Sequence, residues 1–338
     1  MTKTKAATPE PTSSRSILMW AVPAVVALVV LAGAAFVFYG SPDEEEIVAA
    51  TPDVSSGAPA EPGLVARVES LYNDIYLRRR EDGYYMLMFG AERLRYVESI
   101  VNADDETELP VYYTQSMTAG LAFPEKLESA AIVGLGGGRT AWYVHKYVPE
   151  LKFTAIELDP EVARIADRYF GVREEENFGI IVRDGRVALD RSDDTYDLIF
   201  VDAYRGPFVP FHLLTTEFYE LVAERLNPGG VVVQNVEPST MLFDSAVATI
   251  GAAFDNLHFI SGKGNIVIVG YDGPRLADEV ILERARQRQD QYGFRYELPE
   301  LVGRAYEPEW DATAEPLTDD WAPVEFLKAI ERHNEKQT

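Results

Sequence analysis

The chain has no cysteine in its 338 residues, which excludes disulfides, thiolate metal centres and a thiol nucleophile. Histidine is scarce. His145, His212, His258 and His333 are the only four, and none stands at a metal-ligand spacing from another, so no metal is expected. Positive charge is thin as well: 31 Lys and Arg face 55 Asp and Glu, a net charge of −24. Phosphate backbones call for a basic surface, so no nucleic-acid partner is expected. An acidic surface draws cations instead, polyamines among them, and a generally acidic proteome accounts for the same charge at least as well. The apolar fraction of 47% is ordinary for a globular protein, and no internal repeat is present.

Long hydrophobic runs are absent with one exception. Residues 1–16 form a polar tail, and residues 17–39 are an uncharged apolar run of 23 residues with Trp20 and Tyr39 near its ends. At 1.5 Å per residue this spans ~30 Å of hydrocarbon, and it exceeds a signal-peptide core of about 7–15 residues. The run predicts an uncleaved transmembrane helix. Lys3, Lys5 and Arg15 precede it, and Asp43, Glu44, Glu45 and Glu46 follow it. The positive-inside rule therefore predicts a single-pass membrane protein with its main domain extracytoplasmic. Residues 40–63, rich in Pro, Ala, Ser, Glu and Gly, read as a flexible linker.

Two folded parts and an extension follow. Residues 64–112 alternate apolar and polar positions, punctuated by Asp82-Gly83 and Gly90, which predicts a small β-meander of about three strands. Residues 113–273 alternate strand and helix patterns and predict a Rossmann-like, doubly wound α/β domain. Its strands fall at 131–133, 153–156, 179–184, 196–204, 229–237 and 265–272. Residues 274–338 read as a helical extension, with one helix over 277–291 and another near 324–333.

The most informative stretch is AAIVGLGGGRTAWYVHKYVPELKFTAIELD, residues 130–159. It predicts a strand, a glycine turn (Gly134, Gly136, Gly137, Gly138), a helix, and a second strand ending in Glu157. Bare backbone at a helix N-terminus lets a ligand lie close, and a carboxylate after the second strand accepts bonds from both hydroxyls of a ribose. A dinucleotide fingerprint wants glycine at the first, third and sixth positions. Here Arg139 holds the sixth, so the turn suits a ligand without a pyrophosphate, such as an S-adenosyl sulfonium compound. Ligands of such sheets bind beyond the carboxyl ends of the strands. The third strand ends there in Asp184-Gly185, an acid placed to accept from an adenine amino group, and the fourth ends in Asp202. Any one acid alone reads equally as a helix N-cap; three on successive strand ends after a glycine turn point to a nucleoside site.

From about Val68 to Asp272 the chain resembles the spermidine synthase family of aminopropyltransferases, which shares the class I methyltransferase fold. The resemblance rests on ESLYNDIYLRRREDGYYMLMFG, YYTQSMTAGL, VGLGGGRTA, IELDP, RDGR and VDAYRGPFVPFHLLTTEFY. GLGGGRTA, DAYRGPFVPFHLLT and LTDDWAPVE look most like the membrane-associated branch. The resemblance implies decarboxylated S-adenosylmethionine as co-substrate and a small amine as acceptor. It implies Gln115 beside the cofactor, Glu157 on the ribose, Asp184 on the adenine and Asp202 on the acceptor amine; it also makes a homodimer an expectation.

The chain departs from the family pattern in three places. Arg205 stands where a second acid follows the first, glycine (Gly137) stands where an aspartate grips the aminopropyl ammonium, and Thr114 replaces the tyrosine before Gln115. Ordinary S-adenosylmethionine is therefore the alternative cofactor. A methyltransferase of unknown acceptor and a non-catalytic, membrane-tethered nucleoside-binding domain are the alternative functions. His212 is a candidate base or a helix-start residue. Asp319-Asp320-Trp321 is a candidate flap over the acceptor or a helix cap. Arg139 and Arg205 are candidate anion ligands or surface ion pairs.

Overall fold

A computed structural model describes residues 62–91, 94–206, 208–238 and 242–320. The first sheet is an antiparallel meander of four strands, β1 (Gly63–Glu69), β2 (Asp74–Arg79), β3 (Tyr85–Ala91) and β4 (Leu94–Val101), in sequential order. That is one more than the alternation predicts, because the run 85–101 folds back on itself. Ile75, Leu77 and Leu87 are buried in the core, and Tyr76 between the first two is covered as well. The β3–β4 ladder is irregular. Leu87 pairs with Ser99 and Met88 with Val97, which leaves Glu98 as an extra residue at a β-bulge.

Helix α1 (Tyr112–Met117) and a 3₁₀ turn (Thr118–Ala122) lead into the second sheet. In chain order this comprises β5 (Ser129–Val133), α2 (Arg139–Tyr147), β6 (Lys152–Glu157), α3 (Pro160–Phe170), β7 (Phe178–Val182), α4 (Gly185–Arg191), β8 (Tyr196–Val201), α5 (Thr216–Glu224), β9 (Leu226–Val236), α6 (Phe243–Ala253), β10 (Asn256–Gly262) and β11 (Asn265–Tyr271). The strand order is β10-β11-β9-β8-β5-β6-β7. β9 through β7 run parallel, and β10 and β11 add an antiparallel hairpin at one edge. The sheet is therefore mixed, of the class I methyltransferase type. The strand β10 was not expected, because Asn256, His258 and Ser261 interrupt its apolar pattern. β7 is an edge strand with Ile181 and Val182 exposed, although its apolar run GIIV resembles that of a strand buried on both faces.

Each face of the sheet carries a hydrophobic core. One unites Trp142, Tyr143, Phe153 and Phe178 with Leu77 and Leu87 of the meander. The other packs Phe218, Tyr219 and Ile250 against Ile199 and Val232. Helix α7 (Asp278–Tyr292) agrees with the expected span to within a residue, and α8 (Leu298–Val302) follows it.

The expected single-pass membrane protein with an extracytoplasmic domain is corrected. Among the described residues no helix is long and apolar enough to cross a membrane. The 17–39 run on which that expectation stood lies outside them, as do the N-terminal tail, nearly all of the 40–63 linker and the helix expected near 324–333.

Candidate active site

The turn after β5 is shaped by close approach of two backbones. Gly134 has φ of +95°, and a Cβ there would lie 2.4 Å from the Asp202 carbonyl oxygen, so no side chain fits. Its N–H donates to the Ile156 carbonyl at 2.9 Å. Gly138 is the N-cap of α2. The Glu157 carboxylate is buried beneath the turn, where one oxygen accepts from the N–H groups of Leu135 (3.0 Å) and Gly136 (3.2 Å) and the other from Asp159 (2.9 Å). Burial raises its pKa, and these three amides hold the rise down. A carboxylate offers about four acceptor sites, so Glu157 braces the turn and keeps room for a further donor.

Asp184 caps α4, its Oδ1 accepting from Val187 N–H at 3.0 Å. Its Oδ2 meets His212 Nε2 at 2.7 Å. One oxygen therefore caps α4, as the cap reading expects, and the other is held by His212. Gly185 begins α4 against Val133, whose Cγ1 would lie 2.3 Å from an added Cβ.

Asp202 follows β8 and is half-buried. Asn235 Nδ2 donates to its Oδ1 at 2.9 Å, and the Tyr113 hydroxyl donates to Oδ2 at 3.3 Å. Asn265 Nδ2 donates in turn to Asn235 Oδ1 at 2.9 Å, which fixes the amide's orientation. Burial pushes Asp202 up to about 6 despite these bonds. Next to it stands Glu98 of β4, whose Oε1 accepts from Gly206 N–H at 2.8 Å. Burial first, then the neighbouring Asp202 and Glu157 charges, push Glu98 up to about 8. Among the described residues no Lys, Arg or His forms an ion pair with Glu98, Asp202 or Glu157.

The glycine turn, Glu157, Asp184 and Asp202 therefore share the carboxyl edge of neighbouring strands β8, β5, β6 and β7, as the sequence order implies. Gln115 lies on α1, where its amide donates to the Leu109 carbonyl at 2.8 Å. Thr114 is buried and bonds Val111, and the phenol that reaches the site belongs to Tyr113. Arg139 is neither an anion ligand nor a surface residue: it is buried, and its guanidinium donates to the carbonyls of Phe170 (2.7 Å) and Glu106 (3.3 Å). Arg205 is exposed on the loop after β8. Arg186 holds Asp319 bidentately at 2.7 Å and Thr215 donates to it at 2.8 Å; the final helix it was a candidate to cap lies outside the described residues. Sequence reasoning missed Glu98 and Asn235. Asn235, at the end of the strand beside Asp202's, was open to discovery by the same strand-end rule.

Comparison with known proteins adds to this geometry. The Spermine/spermidine synthase domain profile matches residues 111–259. A polyamine aminopropyltransferase from Vibrio vulnificus is 30% identical over 281 residues, covering 78% of this chain and 91% of that protein. The chain belongs to the spermine/spermidine synthase family. As a member of that family of polyamine aminopropyltransferases it is a transferase. The family fold is shared with a probable spermidine synthase from Corynebacterium glutamicum (TM-score 0.56, 18% identity, 77% of this chain and 98% of that one). It is also shared with a spermidine synthase solved with the transition-state analogue AdoDATO (TM-score 0.60, 16% identity, 73% and 86%).

Proposed function

We propose that this spermidine synthase family member moves an aminopropyl group from decarboxylated S-adenosylmethionine to a primary amine of a polyamine-type acceptor. The observation that carries the reading is Asp202, half-buried at the carboxyl edge, aimed by Asn235 and Tyr113 and adjoining the glycine turn. The bare turn and the acids at 157 and 184 fit an adenosine without a pyrophosphate, and the site gathers Glu98, Glu157 and Asp202 with no ion-paired cation among the described residues, which suits an amine substrate.

The chemistry asks little of the protein beyond alignment. The acceptor nitrogen forms a bond to the aminopropyl carbon next to sulfur, and the carbon–sulfur bond breaks with its electron pair passing to sulfur. The products are the lengthened amine and methylthioadenosine. The sulfonium is a good leaving group, so holding nitrogen and carbon in line supplies much of the rate. An ammonium has no lone pair, so the acceptor must first lose a proton. Asp202, titrating at about 6, attracts the ammonium when ionised and takes the proton. Asn235 and Tyr113 hold the carboxylate against rotation while this happens. Glu157 and Asp184 are assigned to the ribose hydroxyls and the adenine amino group.

The test is Asp202→Asn, which keeps size and loses the charge. With decarboxylated S-adenosylmethionine and a diamine, kcat should fall about 10²- to 10⁴-fold while methylthioadenosine binding stays unchanged. Undiminished turnover would remove Asp202 from the chemistry. Methylated amine formed from ordinary S-adenosylmethionine would turn the reading to methyl transfer.

A further inference from the structure

Three observations single out Glu98. First, it is the extra residue of the β3–β4 bulge, since Leu87 pairs with Ser99 and Met88 with Val97. Successive residues of a regular strand face opposite ways, and a bulge re-aims one of them. Here Ser99 Oγ accepts from Gly137 N–H at 2.9 Å, while Glu98 Oε1 accepts from Gly206 N–H at 2.8 Å. Adjacent residues of one strand thus touch two adjacent loops of the other sheet, those after β5 and β8. Second, the turn has no room for an acid of its own. A Cβ at Gly137 would lie 2.8 Å from Ser99 Cβ and 3.0 Å from Val101 Cγ2. Third, Glu98 joins Asp202 and Glu157 in a group of like charges that no cation of the described residues balances. Its Gly206 bond occupies one oxygen, and among the described residues no further hydrogen bond or ion pair holds the other. Assembling carboxylates in this way is unfavourable unless a positive charge enters between them.

We infer that Glu98 is the residue that binds the terminal ammonium of the aminopropyl donor. It stands between the glycine turn, which would hold the nucleoside, and the Asp202 loop, which would hold the acceptor, and the aminopropyl chain must run between those two. The inference rests on the aminopropyl reading and sharpens it to donor choice. Ordinary S-adenosylmethionine carries a carboxylate beside its ammonium, and that carboxylate would face Glu98 and Asp202. Repulsion there would discriminate against it, so the bulge residue selects the decarboxylated donor. In the substrate-free protein Glu98 keeps its proton to about pH 8, and an ammonium arriving beside it favours the ionised form.

The experiment is calorimetry on the full chain and on Glu98→Gln, with three probes: decarboxylated S-adenosylmethionine, ordinary S-adenosylmethionine and methylthioadenosine, which has no ammonium. The variant should bind the decarboxylated donor about 10- to 100-fold more weakly, the size of one lost charge-assisted bond. It should bind methylthioadenosine as the wild type does, which also reports an intact fold, and its preference between the two donors should shrink. Equal donor affinity in variant and wild type would overturn the assignment, as would a parallel loss for methylthioadenosine. An acceptor KM that rises while donor affinity holds would overturn it too, by moving Glu98 to the other substrate. A wild type that ignores the decarboxylated donor altogether would sink the aminopropyl reading itself.

Discussion

Asp202 and Glu98 differ from ordinary carboxylates in where they let go of a proton, at about 6 and about 8. Burial is the leading cause in both, and for Glu98 the two neighbouring acids add to it. Because both folded-state values lie above those of the unfolded chain, the native state binds more protons between them. The stability this contributes is complete in acid and is lost as pH rises through 6 and then 8. The melting temperature of the substrate-free protein should therefore drop from pH 5.5 to pH 8.5, and less steeply in Glu98→Gln, as scanning calorimetry would register. A variant with the same slope as the wild type would show that Glu98 titrates normally. Activity should run the opposite way, with kcat/KM rising over that range as the acids ionise. At this scale the sequence was legible in part. Gly134, Glu157, Asp184 and Asp202 announce themselves because each ends a strand of one sheet. Glu98 does not, because it lies in a different sheet and owes its direction to a bulge, and pairing registers are not written in local alternation.

Helix α7 shows what was legible in an element and what was hidden. Its span follows from its charged composition and the glycine after it, yet only Ile281, Ala285 and Arg288 of its residues are buried, a stripe too narrow to reveal its partner. Arg288 supplies the answer. Its guanidinium donates to the carbonyls of Leu121, Pro124 (2.7 Å) and Glu125 (3.2 Å), closing the end of the 3₁₀ turn that leads into β5. Burial lowers its pKa to about 10, so it stays charged at neutral pH. Arg288→Ala would strand buried carbonyls, and the expected loss is about 2–4 kcal/mol in a urea titration. The turn after β5 is the other rigid element. Gly134→Ala combines a left-handed backbone with overlap against the Asp202 carbonyl. It should cost about 2–6 kcal/mol, with nucleoside affinity falling alongside; a variant of wild-type stability would contradict the close approach of the two loops.

For the whole molecule the governing quantity is the charge of −24. A polycationic acceptor is drawn to such a surface over a distance set by the Debye length, about 10 Å at 0.1 M salt. Raising salt from about 0.05 to about 0.5 M should therefore increase the acceptor KM several-fold while leaving methylthioadenosine affinity nearly constant. A KM indifferent to salt would show that only short-range contacts select the acceptor. Architecture was legible at this scale, since the switch from alternating to helix-interleaved patterns marks the passage from meander to Rossmann-like sheet. Length and hydropathy alone also predicted a membrane-crossing helix, and no described helix has that character.

The meander is more than a cover for the nucleoside fold. Its extra residue at position 98 decides whether two neighbouring side chains lean the same way or apart. Deleting that residue would restore a regular ladder, with Val97 beside Met88 and Ser99 still beside Leu87, so the gap between the two loops would lose the Glu98 strut and keep the Ser99 one. A shortened strand and a neutral glutamine at the same place should then fail differently, the first in geometry and the second in charge alone.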